Sequence, residues 1–209
     1  MFQDRTDAGK KLAAALVSYK DSSAVVLALP RGGVVVGYQV SKELNLPLEV
    51  LLVRKIGAPF NPESAIGAIS EKNTIVMSKN SIVDLNQEKV KKTIDREEIE
   101  LERRIKIYRQ GRQLSDLKNK TVIIIDDGLA TGLTAQAAIA AVKKFKVKRV
   151  IFASPVCAKD SLSTISDQVD NINCLLVPDY LSAIGLYYED FSQVSDEEVI
   201  RLLTDSRKK

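Results

Sequence analysis

The sequence contains no histidine and only two cysteines, Cys157 and Cys174, among 209 residues. Without an imidazole, nucleophile systems of the Ser-His-Asp and Cys-His kinds are excluded, and so are zinc sites that use histidine. Two thiols are too few for an all-cysteine zinc cluster or a disulfide framework, and they fit a reducing, cytoplasmic setting. Long apolar runs are also missing. None approaches membrane-spanning length, and Met1 to Asp7, which carries Asp4, Arg5 and Asp7, lacks the apolar core of a signal peptide. Neither sign of charge dominates: 31 Lys and Arg stand against 27 Asp and Glu. The two signs are interleaved, so the slight basic excess suits anionic small molecules as well as nucleic acid.

What remains is the composition of a soluble globule, 45% hydrophobic and 28% charged, with a length that reads as one domain over residues 1–209. Short β-branched runs alternate with helical patterns. Ala24 to Leu29, Leu48 to Val53, Thr121 to Ile125, Val150 to Ser154 and Cys174 to Val177 are apolar at consecutive positions, as in strands of a parallel sheet covered on both faces. Helices are expected over Asp7 to Tyr19, Val34 to Leu44 and Thr134 to Phe145. The fold class is therefore α/β: an open, mostly parallel sheet with helices on both faces and ligands at the carboxyl ends of its strands. Ile66 to Ser78 reads as a hairpin turning at Lys72-Asn73. Gln87 to Arg112 reads as a long charged helix docked by Ile94, Leu101, Ile105 and Tyr108, with Glu100–Arg104 and Glu102–Lys106 in the favoured i,i+4 order. The bland reading is a solvated helix, and the alternative is a cover over a site.

The segment from Val122 to Thr134 carries the most chemistry. An apolar strand ends in Asp126-Asp127, and Gly128-Leu129-Ala130-Thr131-Gly132-Leu133-Thr134 then leads into a helix. Exposed amides at a helix start, with Gly132 allowing close backbone approach, make a socket for phosphate, and the hydroxyls of Thr131 and Thr134 add donors. Leu133 stands where a Walker loop needs lysine, and no G-x-G-x-x-G turn occurs. Two acids beside a phosphate site are repulsive unless something else needs them, and vicinal sugar hydroxyls or a magnesium ion would. The loop reads as a clamp for a phosphorylated ribose.

Ile125 to Thr134 resembles the phosphoribosyl-diphosphate (PRPP) binding motif of type I phosphoribosyltransferases. The likeness extends through Phe2-Gln-Asp-Arg5, Leu29-Pro-Arg-Gly-Gly-Val34, Val53-Arg-Lys-Ile-Gly-Ala-Pro59 and Gly185-Leu-Tyr-Tyr-Glu-Asp-Phe191. It is nearest to the bacterial stand-alone group of predicted phosphoribosyltransferases. The resemblance implies Mg2+-dependent transfer of a 5-phosphoribosyl group from PRPP to a nitrogenous base or related small acceptor, with loss of diphosphate. It implies that Asp126 and Asp127 hold the ribose hydroxyls and are the catalytic acids. Gly128 and Ala130 to Thr134 would hold the 5-phosphate. Mg2+ would be held mainly through PRPP, with Asp126 and Asp127 as candidate ligands.

For the diphosphate, Pro30-Arg31-Gly32-Gly33 offers a guanidinium fork and backbone donors, and the family's loop often contains a cis peptide, here Pro30–Arg31. Arg54 and Lys55 follow the next strand and resemble the same turn in adenine phosphoribosyltransferases. Asn61-Pro62-Glu63 and Glu71 fall where the family has a flexible loop, and an acid there could receive the proton of the base. Ala130 occupies the slot where hypoxanthine-guanine enzymes have an aspartate. A hood outside the sheet, Pro178 to Gly185, offers Tyr180 and Leu181, with Tyr187 and Tyr188 nearby, as base-stacking candidates; aromatics at such spacing also serve as packing. The expected partners are PRPP and a base or amine, with a homodimer in keeping with the family and neither membrane nor nucleic acid expected. The second reading is a non-catalytic regulator that binds PRPP or a nucleotide. A DNA-reading version would need a helix-turn-helix, for which 209 residues leave no room.

Overall fold

Unbroken apolar runs need cover on both faces, and they obtain it in the computed structural model, which describes residues 1–78 and 87–208 apart from the side chains of Pro62 and Glu63. Along the chain run α1 (Arg5–Ala15), β1 (Val25–Ala28), α2 (Gly32–Leu44), β2 (Leu48–Val50), β3 (Val53–Ala58), β4 (Asn61–Ser70) and β5 (Thr74–Met77). They are followed by α3 (Gln87–Arg109), β6 (Thr121–Ile125), α4 (Leu133–Lys143), β7 (Arg149–Val156), α5 (Lys159–Ile165), β8 (Asn171–Leu176) and α6 (Asp196–Asp205). Five strands form an all-parallel sheet in the order β2-β1-β6-β7-β8. Alternate residues feed two cores. Val26, Ala28, Ile123, Ile125 and Ile151 pack under α1, α2, α3 and α6, whereas Val25, Leu27, Val122, Ile124 and Phe152 pack under α4 and α5. Truncating one of the fully buried isoleucines, Ile123, Ile124 or Ile125, to alanine costs about 2–5 kcal/mol.

The expected strand from Leu48 to Val53 is two strands. β2 ends at Val50, and after Leu51 and Leu52 the chain enters β3, the first strand of a separate antiparallel sheet ordered β3-β4-β5. The reason lies in polar partners across this crossing: Ser70 Oγ donates to the Leu52 carbonyl at 2.8 Å, and Glu71 accepts from the Leu52 amide at 3.1 Å. Arg54 and Lys55 therefore lie within a strand, not on a turn. The hairpin from Ile66 is present, with Lys72 and Asn73 at positive φ in its turn.

Helix α1 starts earlier than expected because Asp4 caps it, accepting from the Asp7 amide at 2.7 Å. Helix α2 starts at Gly32 and ends on Asn45, whose φ of 53° stops the helix. Helix α3 stops at Arg109, where Gln110 and Gly111 adopt positive φ, short of the expected Arg112. Its docking stripe is buried at Leu101 and Tyr108 and partly buried at Ile94 and Ile105. Glu97 and Arg109 are buried beside it. Arg109 grips Glu71 with two bonds of 2.6 and 2.8 Å, so Glu71 fastens α3 to the hairpin. Glu63 lies outside the described side chains.

Candidate active site

The carboxyl ends of β1 and β6, the start of α4 and one side of α3 enclose a cavity of about 550 Å3. Its floor is the turn that leaves β6. Asp126 and Asp127 sit where the strand stops pairing, and both line the cavity with Gly128, Leu129, Ala130, Thr131, Gly132 and Thr134. Gly132, at φ 78°, takes the left-handed conformation that lets the turn enter α4 directly. Leu133 is buried and packs with Ala68 and Ala137, which anchors the helix start to β4. The turn is fixed from below. Leu129 donates its amide to the Val156 carbonyl at 2.9 Å, its own carbonyl accepts from the Ala158 amide at 2.8 Å, and Ser161 Oγ donates to the Ala130 carbonyl.

The two acids differ in environment. Asp126 accepts the Asp127 amide at 2.9 Å. Burial, and after it the charge of Asp127, pushes the Asp126 carboxyl well above the usual carboxylate range. Asp127 instead accepts from Arg5 Nε at 2.7 Å. That guanidinium lies 3.8 Å from the Phe191 ring centre and donates from Nη1 to the Ser192 carbonyl at 2.8 Å. Tyr188 donates its hydroxyl to the Asp127 carbonyl at 2.6 Å, and burial first, then Asp127, raises its phenol. The N-terminal segment and the hood thus hold the second acid from two sides.

The turn after β1 abuts this pair. A Cβ at Gly32 would collide with the Asp127 carboxylate and the Arg5 side chain, so any larger residue there must displace that pair. Gly33 is buried in the first turn of α2. The Pro30–Arg31 peptide is cis. Pro30 lines the cavity, whereas the Arg31 side chain is drawn towards α6, with Nη1 3.7 Å from Asp196. Asp196 also accepts from the buried Tyr108 hydroxyl at 2.6 Å. Burial, with that hydrogen bond second, pushes the Tyr108 phenol up to about 12.

Arg54 and Lys55 both line the cavity. Arg54 is held by Glu97 of α3, with Nη2 and Nε at 2.7 and 3.0 Å from one carboxylate oxygen. The hood is arranged differently from the sequence expectation. Ile184 and Phe191 line the cavity. Tyr180 is 82% exposed, and Leu181 and Tyr187 pack with Ile184 against Phe2 and Tyr188. The physical reason is the short helical turn from Ile184 to Tyr187, which aims Ile184 over Gly128 and leaves the tyrosines behind it.

Five residues at or beside the cavity escaped sequence reasoning as contributors: Arg5, Arg96, Glu97, Arg104 and Phe191. Arg5 and Phe191 were legible only as part of matching strings. The spacing of Arg96 and Arg104 across two turns of one helix was the signal available for the others. Among the described residues no helix is long and apolar enough to cross a membrane.

This geometry matches known proteins. The family model described as phosphoribosyl transferase domain matches residues 2–190. Two provisionally named phosphoribosyl transferases of Mycobacterium tuberculosis, MT0597 from strain CDC 1551 and Rv0571c from strain H37Rv, are each 38% identical over 205 residues, or 97% of this chain. The chain spans 46% of each, about half the length of these curated relatives. The crystal structure of TT1426 from Thermus thermophilus is 37% identical, superposes with a TM-score of 0.82, and is matched over 98% of both chains. A parallel sheet with an acid pair at the end of β6, matched along nearly its whole length, assigns this chain to the phosphoribosyl transferase domain family.

Proposed function

We propose that residues 1–209 act as one domain that transfers the 5-phosphoribosyl group of PRPP to a nitrogenous base or related small amine and releases diphosphate. The observation that carries this reading is the meeting of Asp126 and Asp127 with the Thr131–Thr134 helix start on one cavity of about 550 Å3. In this reading the amides and hydroxyls from Gly128 through Ala130, Thr131, Gly132, Leu133 and Thr134 hold the 5-phosphate. Asp127 accepts a bond from one ribose hydroxyl through the oxygen that Arg5 leaves open. Asp126 pairs with the neighbouring hydroxyl.

The turn Arg31-Gly32-Gly33 faces the diphosphate with its backbone, and Lys55 faces it with its ammonium. Arg54 joins them while sharing its guanidinium with Glu97. The bond between the anomeric carbon and the diphosphate oxygen breaks as the acceptor nitrogen attacks. Its electron pair leaves with the diphosphate, which takes up the proton that the attacking nitrogen gives up, and the positive charge that develops on the ribose is offset by Asp127. The acceptor packs on Ile184 and Phe191, with Leu181 and Tyr187 supporting that wall from behind, while Tyr180 stands exposed at its edge.

Magnesium fits this site in one manner only. The described residues hold no group of three or more His, Cys, Asp or Glu that could cage an ion, whereas Mg2+ commonly sits on substrate phosphates with one or two carboxylates. Asp126 and Asp127 are the candidates, and the ion would neutralise the leaving diphosphate. The two free cysteines accord with the cytoplasm, and a second copy of the chain is the expected partner.

The rival reading is a non-catalytic regulator that binds PRPP or a nucleotide. It is favoured by one observation: two of the carboxylates on the cavity, Asp127 and Glu97, are engaged in ion pairs with Arg5 and Arg54. The deciding experiment incubates the protein with PRPP and Mg2+ against a panel of purines, pyrimidines and small amines and measures released diphosphate. Release with any member that is lost in Asp126→Asn/Asp127→Asn supports transfer. Saturable PRPP binding without release across the panel selects the regulator.

A further inference from the structure

Helix α3 reads in the sequence as a solvated helix or as a cover over a site, and in the structure it walls the cavity. Arg96 and Arg104 line it beside Arg54 and Lys55 of β3. Their charge is only half compensated. Arg54 and Arg96 converge on the single carboxylate of Glu97 at 2.7 and 3.3 Å, and Arg103 and Arg104 converge on Glu100 at 2.7 and 2.8 Å. Four guanidiniums thus share two carboxylates, and Lys55 adds a further cation to the same wall. Tyr108, one turn further along α3, donates to the Asp196 carboxylate that also faces Arg31. Arg31 itself is turned towards Asp196, so the guanidiniums that line the cavity come from β3 and α3.

We propose that α3 completes the diphosphate end of this cavity: Arg96 and Arg104, with Lys55, bind the oxyanions of the diphosphate moiety of the donor, while Glu97 and Glu100 hold the guanidiniums in orientation. This rests on the reading of the site as one for PRPP. Guanidinium suits the task because its fixed fork matches phosphate oxygens and its charge persists at every working pH. Arg103 provides an internal control. It shares Glu100 with Arg104 and is half-exposed, but it does not line the cavity.

The test measures binding of inorganic diphosphate and of ribose 5-phosphate, with Mg2+, to the wild-type chain and to Arg96→Ala/Arg104→Ala, Arg96→Lys/Arg104→Lys and Arg103→Ala. Diphosphate is expected to bind the double alanine variant about tenfold or more weakly, as for lost bonds to a charged group, and ribose 5-phosphate within about twofold of wild type. The double lysine variant, which keeps the charge and the fold, should fall between, and Arg103→Ala should match wild type. Unchanged diphosphate affinity in both double variants overturns the proposal. So does an equal loss for ribose 5-phosphate, or the same loss in Arg103→Ala, since either would report a general field. If wild type binds both ligands and the α3 variants are indifferent, α3 alone is misassigned. If wild type binds neither, the PRPP reading fails with it.

Discussion

Arg5 donates Nε to Asp127 at 2.7 Å across 122 residues of sequence, joining the first turn of α1 to the acid pair behind β6. The guanidinium is fixed on its other sides by the Phe191 ring and the Ser192 carbonyl, and its side chain is only 11% exposed. Asp127 is thereby presented in one orientation, with a single oxygen committed. The N-terminal segment is part of the site.

Replacing Arg5 by methionine should weaken PRPP binding about tenfold and lower stability by about 3–5 kcal/mol, because Asp127 is left as a largely buried carboxylate without its partner. Calorimetric titration and urea unfolding would measure both. Tighter PRPP binding in Arg5→Met would mean that Arg5 competes with the ribose instead of orienting the acid.

The raised pKa of Asp126 has a definite sign in stability. A carboxyl whose folded-state pKa lies above its unfolded value retains its proton longer when folded, so the contribution of Asp126 to stability is greatest below the ordinary value of 3.8 and falls as pH rises through the folded pKa. Asp126→Asn mimics the protonated form and should flatten that decline in the ligand-free protein. Melting temperatures from pH 4 upwards, about one unit apart, would show it. Parallel curves for wild type and variant would place an ionised, compensated carboxylate at this position.

At Gly32 the steric argument is direct. Gly32→Ala sets a methyl against the Asp127 carboxylate and Arg5. We expect a loss of about 1–3 kcal/mol in stability as the pair is forced apart, accompanied by weaker PRPP binding. Equal melting temperatures and equal affinity would show that the turn after β1 stands clear of the acids.

Much of this was legible in the sequence, for physical reasons that differ between elements. Short unbroken β-branched runs such as Val122 to Ile125, bounded by turn residues, suit strands covered on both faces, so the sheet and its strand-end turns followed. The turn from Asp126 to Thr134 is local, and local chemistry is visible in a string. What escaped depends on distant partners. Nothing near Leu52 announces that Ser70 and Glu71 will receive it and open a second sheet. Nothing near Arg31 announces Asp196. The hood misled because Tyr180 and Tyr187 are aromatic, whereas the side chain that reaches over Gly128 is Ile184, set by a short turn that composition does not reveal.

Thr131 tests the phosphate socket alone. It is exposed at the helix start and lines the cavity, so Thr131→Ala should leave the fold intact while weakening PRPP and ribose 5-phosphate by about 1–3 kcal/mol each, the worth of a hydrogen bond to a charged group. Unchanged affinity for both would put the 5-phosphate elsewhere.

The most direct measurement is a calorimetric titration of PRPP, with saturating Mg2+, into wild type and into Asp126→Asn/Asp127→Asn. Saturable heat in wild type and a large loss of affinity in the double variant are expected. No heat in wild type, or equal binding by both proteins, would contradict the assignment of the β6 acids to the ribose.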